Sequence, residues 1–268
     1  MFFHEVCGFE IGDLSQCDSI AGTPTAISSG FTGTYCAQLT DIGDKLHWDT
    51  GFNTDCTCTC WANVQESNAD LRILDIIRNS KHIYFRVYET SGNWYFELNV
   101  DGTATSKLIG TFRTGVWQYF NLIITSTYAK IAWNGIETIL TQNHTITGNI
   151  TALEILNNSA ANVLVDDVCI AQSVGMMAPR IVPLRPDEDE VTGLSATGSP
   201  HYAEVRDVPP GDSTYVYASA TNYDLYHCRL PQTPTGWSIN LVRAISVVFR
   251  HYQATSNPDS RTVVIYQT

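Results

Sequence analysis

Two dipeptides, Asp101-Gly102 and Asn134-Gly135, constrain this chain more than anything else in it. Each lies beside runs of alternating apolar and polar residues and supplies the positive φ angles that a two-residue hairpin turn demands. Before the first, Ile83-Tyr84-Phe85-Arg86-Val87-Tyr88 leads through Ser91-Gly92-Asn93 into Trp94-Tyr95-Phe96-Glu97-Leu98-Asn99-Val100. Before the second, Gly115 to Ile124 and Lys130-Ile131-Ala132-Trp133 form further runs, and Glu137-Thr138-Ile139-Leu140 returns from the turn. The spacing predicts a β-meander, with no long helical period competing. Several short strands with one apolar face each predict a sandwich, because a single open sheet leaves its second apolar face in water.

Composition points the same way. Apolar residues make up 44% and aromatics 11%, with charged residues at only 16%, the profile of a β-rich globular chain rather than a helical bundle. At 268 residues the chain has room for two domains, each with its own core. The net charge of −12, from 27 acidic and 15 basic side chains, excludes nucleic acid as a partner, since phosphate binding rests on Lys and Arg releasing counterions. No apolar run approaches the roughly 20 residues of a membrane span, so no membrane span is expected. The opening Met1-Phe2-Phe3-His4-Glu5 lacks the basic and apolar regions of a signal peptide. The expectation is a protein made and kept in a cytosol, with its eight cysteines mostly reduced. The sequons at Asn143, Asn149 and Asn157 then read as polar turn residues, because glycosylation presupposes a secretory route.

Runs at 152–156 and 162–170 close a first domain, residues 1–174. Residues 175–200 carry Met176-Met177, several prolines and glycines and the run Asp187-Glu188-Asp189-Glu190, which suits a solvated linker. Residues 201–268 again alternate, at 202–205, 214–218, 224–228 and 244–252, and form a smaller C-terminal β domain. Its final run, 262–268, reads as a strand that either pairs with another subunit or continues into a further C-terminal part.

Family resemblance enters through both domains. Gly8-Phe9-Glu10-x-Gly12-Asp13-Leu14, the stretch to Gly33-Thr34-Tyr35 and the closing Val165-Asp166-Asp167-Val168 resemble concanavalin A-like (laminin-G-like) jelly rolls, and the central Trp94-Tyr95-Phe96-Glu97-Leu98, Gly115-Val116-Trp117-Gln118 and Ala132-Trp133-Asn134-Gly135 follow the same order. Residues 183–218, with Val182-Pro183-Leu184-Arg185-Pro186, Val191-Thr192-Gly193, His201-Tyr202-Ala203 and Val208-Pro209-Pro210-Gly211-Asp212, resemble structural proteins of tailed bacteriophages that join a jelly roll to a second β domain. The resemblance implies an all-β protein, an N-terminal concanavalin A-like jelly-roll sandwich plus a smaller C-terminal β domain. It implies a virion component synthesised in the host bacterial cytoplasm, most plainly a capsid decoration or head-fibre-type protein that contacts other virion proteins and forms a homo-oligomer, by expectation a trimer. The alternative is a carbohydrate- or receptor-binding tail module that engages a host-surface glycan; a glycan-degrading enzyme is a further alternative. The resemblance also implies a structural calcium held by Glu10 and Asp167, set against a plain pair of solvated carboxylates. Calcium needs six to eight oxygens, which these two with carbonyls and Asp13 or Asp166 supply only in part.

Cys56-x-Cys58-x-Cys60 places three thiols on one face of a strand, a geometry that either holds a metal or packs small side chains into a core. No second Cys/His pair accompanies it, which favours the core and leaves Thr57 and Thr59 to face outward. Chemistry by the chain itself is not expected. The Glu-x-Asp-x-x-Glu strand of jelly-roll glucanases is absent, as are the serine-nucleophile, zinc-protease and phosphate-loop motifs. Sugar rings stack on exposed aromatics, which makes Trp48, Trp61, Trp94, Trp117, Trp133 and Trp237 candidates. Trp94 and Trp117 sit in alternating runs and read as core, whereas Trp48 lies in a polar stretch and is the expected carbohydrate platform.

Overall fold

A computed structural model describes residues 2–9, 12–31, 33–52, 55–110, 112–134 and 136–172, together with short strands at 188–192, 195–196, 216–217 and 226–229. The chain divides into two compact units, Met1–Pro183 and Leu184–Thr268.

The first unit contains β1 (Phe2–Cys7), β2 (Ser19–Ala21), β3 (Thr25–Ile27), β4 (Cys36–Leu39), β5 (Lys45–Phe52), β6 (Cys56–Val64), β7 (Asp70–Arg78) and β8 (Lys81–Thr90). It continues with β9 (Asn93–Val100), β10 (Thr103–Leu108), β11 (Gln118–Ile124), β12 (Tyr128–Trp133), β13 (Ile136–Asn143), β14 (Ile150–Asn157) and β15 (Val163–Gln172). Among the described residues these strands form two antiparallel sheets. The first runs β13-β12-β11-β6-β15-β4-β3, with β1 also paired to β15; the second runs β10-β9-β8-β7-β14-β5-β2. This is the expected jelly-roll-like β-sandwich. The expected hairpins form where the turn chemistry puts them. Ser91 and Gly92 (φ 54° and 80°) join β8 to β9, Asp101 and Gly102 (φ 50° and 85°) join β9 to β10, and Asn134 (φ 49°) follows β12.

Alternation decides what lies between the sheets. Along β8, Ile83, Phe85 and Val87 are fully buried while His82, Tyr84, Arg86 and Tyr88 are only partly covered. Phe85 and Phe96 of the second sheet meet Phe120 of the first edge-on, with ring centroids 5.2–6.2 Å apart. Burying each such ring contributes roughly 1.5–3 kcal/mol, and the edge-to-face geometry adds about 1 kcal/mol per pair. Cys56, Cys58 and Cys60 are buried in the same core, and the Cys60 thiol points to the Ile73 carbonyl at 3.9 Å. The three thiols are therefore small core side chains. Thr57 and Thr59 do lie on the opposite face of β6, yet they are fully buried too. The outward face of the first sheet is itself covered at these positions, which the strand pattern alone does not reveal.

A buried carboxylate ties the loops at one end. Asp44 accepts from the amides of Thr23, Thr40 and Asp41 at 2.7–2.9 Å. Gly22 stands at φ +77°, where a Cβ would fall 2.2 Å from Asp44 Oδ1, so only glycine fits the close approach. Asn157, one of the sequon residues, is buried, and its Nδ2 donates to the Ala161 carbonyl at 2.8 Å. It is the last residue of β14 and not a turn residue, and its side chain ties the strand to the loop that follows.

In the second unit, β16 (Glu188–Thr192) pairs with β19 (Tyr226–Arg229), and β17 (Ser195–Ala196) pairs with β18 (Val216–Tyr217). Two of these strands fall inside the segment that composition assigns to a linker. Val191 and Thr192 give β16 a sheet-forming end, and the acidic residues beside them are tolerated on so short a strand. The expected strands at 202–205 and 244–252 and the terminal run at 262–268 lie outside the described residues.

Candidate functional site

The outward face of the second sheet gathers the polar chemistry of the first unit. Residues directly opposite one another in an antiparallel sheet share a face, so the register builds this face row by row. One row runs Tyr95, Tyr88, Asp70; the next runs Ser106, Glu97, Arg86, Arg72; a third runs Asn99, Tyr84, Asp75, Glu154, His47. Six strands contribute, and their inward neighbours fix each side chain's direction.

Arg86 is the centre. Its Nε and Nη2 donate to the two carboxylate oxygens of Asp70 at 2.7 and 2.6 Å, and its Nη1 reaches Glu97 at 3.4 Å. The guanidinium lies 4.4 Å above the Tyr88 ring, which in turn stacks on Tyr95 at 5.3 Å and 15°. Arg72, beside it in the same row, lies 4.4 Å above the Tyr84 ring and makes a single hydrogen bond to Asp75 at 3.3 Å. A bidentate, stacked arginine such as Arg86 loses little freedom when it binds, because the fork is already held in place. The two side chains keep 31% (Arg72) and 28% (Arg86) of their surface in solvent, and their hydrogen bonds use one and three of the five N–H groups of each, so N–H groups remain for a ligand.

The titrating groups follow from this packing. Burial works against the Asp70 carboxylate, but its hydrogen bonds and charge contact with Arg86 outweigh that and hold its pKa below the usual value. The Asp70 hydrogen bonds likewise push Arg86 further up. Asp75 goes the other way. Full burial raises it, and His82 and Arg72 offset only part of that cost. Glu154 is lowered, because Lys45 and His47 at 2.9 and 2.8 Å overcome its burial. Burial also opposes charge on His47, yet hydrogen bonds to Asp49 and Glu154 prevail and raise it. Asp75 and Glu154 are cross-strand neighbours, and a facing carboxylate pair is what glycoside hydrolysis uses. Here each is held by its own cations, and neither projects into solvent as a catalytic acid does.

The expected site residues fall elsewhere. Trp48 is fully buried and its Nε1 donates to the Gln16 carbonyl at 3.0 Å, so it offers no face to a sugar. The polar neighbours that suggest exposure, Lys45, His47 and Asp49, are the outward half of β5, and alternation turns Leu46 and Trp48 inward. Trp94 packs against the core and on Phe112, centroids 4.2 Å apart. Trp117 is partly exposed rather than core, and Trp237 lies outside the described residues. Of the expected calcium ligands, Glu10 also lies outside them. Asp167 is fully buried, not solvated, at a bulge of β15 with φ +47°. Beside it the Asp166 carboxylate accepts from the amides of Phe31 and Asp167, both at 2.7 Å. Among the described residues no group of three or more His, Cys, Asp or Glu is placed to hold a metal.

Fold and face together define the first unit as a β-sandwich with a polar, aromatic outward sheet. Neither family models nor curated proteins match the chain. Solved structures do resemble it at low identity. Cellulose induced protein, Cip1, is 16% identical over 64% of this chain and 99% of that one, with a TM-score of 0.47. Domain 4 of AbnA, an extracellular arabinanase from Geobacillus stearothermophilus solved with arabinotriose, is 16% identical over 63% of this chain and 92% of its own, at 0.46. The CBM2 module of the evolved Dit of Lactobacillus casei BL23 phage J-1 is 13% identical over 62% of this chain and 96% of its own, at 0.43.

Proposed function

We propose that the protein is a non-catalytic glycan-binding module, and that the outward face of its second sheet, centred on Arg86, is where it holds a host-surface saccharide. The observation that carries the reading is the Arg86 clamp, fixed by Asp70 and Glu97 and stacked on Tyr88. A sugar presents vicinal hydroxyls and an apolar ring face. The clamp presents paired donors and acceptors in fixed directions, with Tyr88 and Tyr95 rings at its edge for stacking. Its setting, in this proposal, is the virion of a tailed bacteriophage, which the motif order in residues 5–170 and 183–218 supports. A homo-oligomer, proposed as a trimer, multiplies weak single-site contacts into useful avidity.

Capsid decoration is the second reading, and the resemblance of residues 183–218 favours it. The two part on what the polar face does. On a panel of immobilised bacterial-surface glycans the full chain is expected to bind a subset, and Arg86→Ala to weaken that binding by roughly tenfold or more, the worth of charge-assisted hydrogen bonds. Binding to no glycan by a folded chain sinks the glycan reading and leaves decoration.

A further inference from the structure

A second recessed surface lies away from the polar face, between the loop after β10 and the turn after β12. It encloses about 250 Å³ and is lined by Arg113, Val116, Trp117, Gln118, Trp133 and Asn134. That is smaller than the roughly 300–1,000 Å³ of a typical drug-sized site, so it admits one ring and not a chain. Val116 is 48% exposed and with the partly exposed Trp117 supplies an apolar wall.

Its polar groups are unevenly used. Gln118 Oε1 accepts from Trp133 Nε1 at 2.9 Å, and Gln118 Nε2 donates to the Arg113 carbonyl at 2.8 Å. Asn134 Oδ1 accepts from the Tyr119 amide at 2.8 Å. The side-chain oxygens of the lining are therefore engaged, and no carboxylate is among them. What remains is donors. Asn134 Oδ1 is tied inward, which leaves the amide Nδ2 for a ligand, and the exposed Arg113 guanidinium has no salt-bridge partner among the described residues. A neutral sugar hydroxyl both gives and takes a proton, so it suits a lining of mixed donors and acceptors. A lining left with donors and one cation suits an acceptor-only group, and a planar guanidinium matches a planar carboxylate in two hydrogen bonds.

We infer that this depression is a separate site for a single carboxylate-bearing sugar ring, a uronic acid at the end or branch of a polysaccharide, with Arg113 and Asn134 on the carboxylate and Trp117 and Val116 against the ring. The inference does not depend on the Arg86 face. The test uses the full chain and follows Trp fluorescence, because two indoles line the site, while titrating glucuronate, glucose and inorganic sulfate. Glucuronate is expected to saturate the signal, with glucose at least roughly tenfold weaker and sulfate weaker than glucuronate. Arg113→Gln, a surface change, is expected to remove the preference for glucuronate over glucose, and Arg86→Ala to leave it intact. Equal binding of glucose and glucuronate, sulfate binding as tightly as glucuronate, loss of glucuronate binding in Arg86→Ala, or no saturation by glucuronate each overturns the assignment.

Discussion

The two outward faces of the sandwich share one pleat and one register logic, yet they carry opposite chemistry. On the first sheet, Thr57, Thr59, Asn121, Ile123 and Cys169 point away from the core and are nevertheless buried. On the second, Arg72, Tyr84, Arg86 and Tyr88 point away from the same core and stay partly in water, linked by ion pairs and ring contacts. The fold thus fixes only which residues face out. At the positions just named, the buried side chains are uncharged, and those that stay in water are arginines and tyrosines. A β-sandwich of one build can in this way carry a covered face and a displayed face back to back.

Placing the same charge on each face tests the contrast most severely. Thr59→Lys puts an unpaired ammonium into the covered face and is expected to cost about 3–5 kcal/mol, read from the midpoint of urea unfolding. Tyr84→Lys, on the displayed face, is expected to stay within about 1 kcal/mol. Equal losses at the two positions would mean that the faces do not differ as described.

Acid sharpens the comparison next. Asp70 and Glu154 have lowered pKa values in the folded state, so their contribution is fully present above the unfolded carboxylate value of roughly 4 and is lost as pH falls through the lowered folded values. The expected acid transition is therefore blunted in the Asp70→Asn, Glu154→Gln double variant, which starts less stable at neutral pH. An unchanged profile of melting temperature against pH, compared between the two proteins, would remove these ion pairs from the account.

The smallest effect is of the opposite sign. Asp75 is raised by burial, so its favourable contribution is complete below the ordinary Asp value and is lost as pH rises through its folded value. Asp75→Asn keeps an acceptor for Arg72 and sheds the buried charge. It is expected to gain up to about 1 kcal/mol at neutral pH and nothing at acid pH, measurable as a melting-temperature difference that shrinks on acidification.

Much of the fold was legible because its signals are local. Asp101-Gly102 and Ser91-Gly92 announce their turns, and the strands around them alternate cleanly. β7 was harder to read, since a bulge between Arg72 and Leu74 buries Ile73 and Leu74 in succession and breaks the period of two. β10 is exposed along its whole length and offers no apolar face to detect. The polar face was not legible at all. Its rows join Asp70 to Tyr88 and Asp75 to Glu154, pairs set by register and far apart in sequence, so no motif spacing encodes them. Trp48 shows the converse error. Polar neighbours on a strand are a sign that the residue between them is inside, and here the period of two outranks the local polarity.

The seven cysteines of the first unit are all buried, and burial holds Cys7, Cys58, Cys60 and Cys169 above the usual thiol pKa. A thiol so placed is unreactive until its strand parts from the sheet. The chain therefore carries its own stopwatch: the pace at which an alkylating reagent modifies each cysteine dates the opening of β1, β6 and β15 separately, with no label added, and reveals whether the sandwich comes apart as one body or peels from an edge.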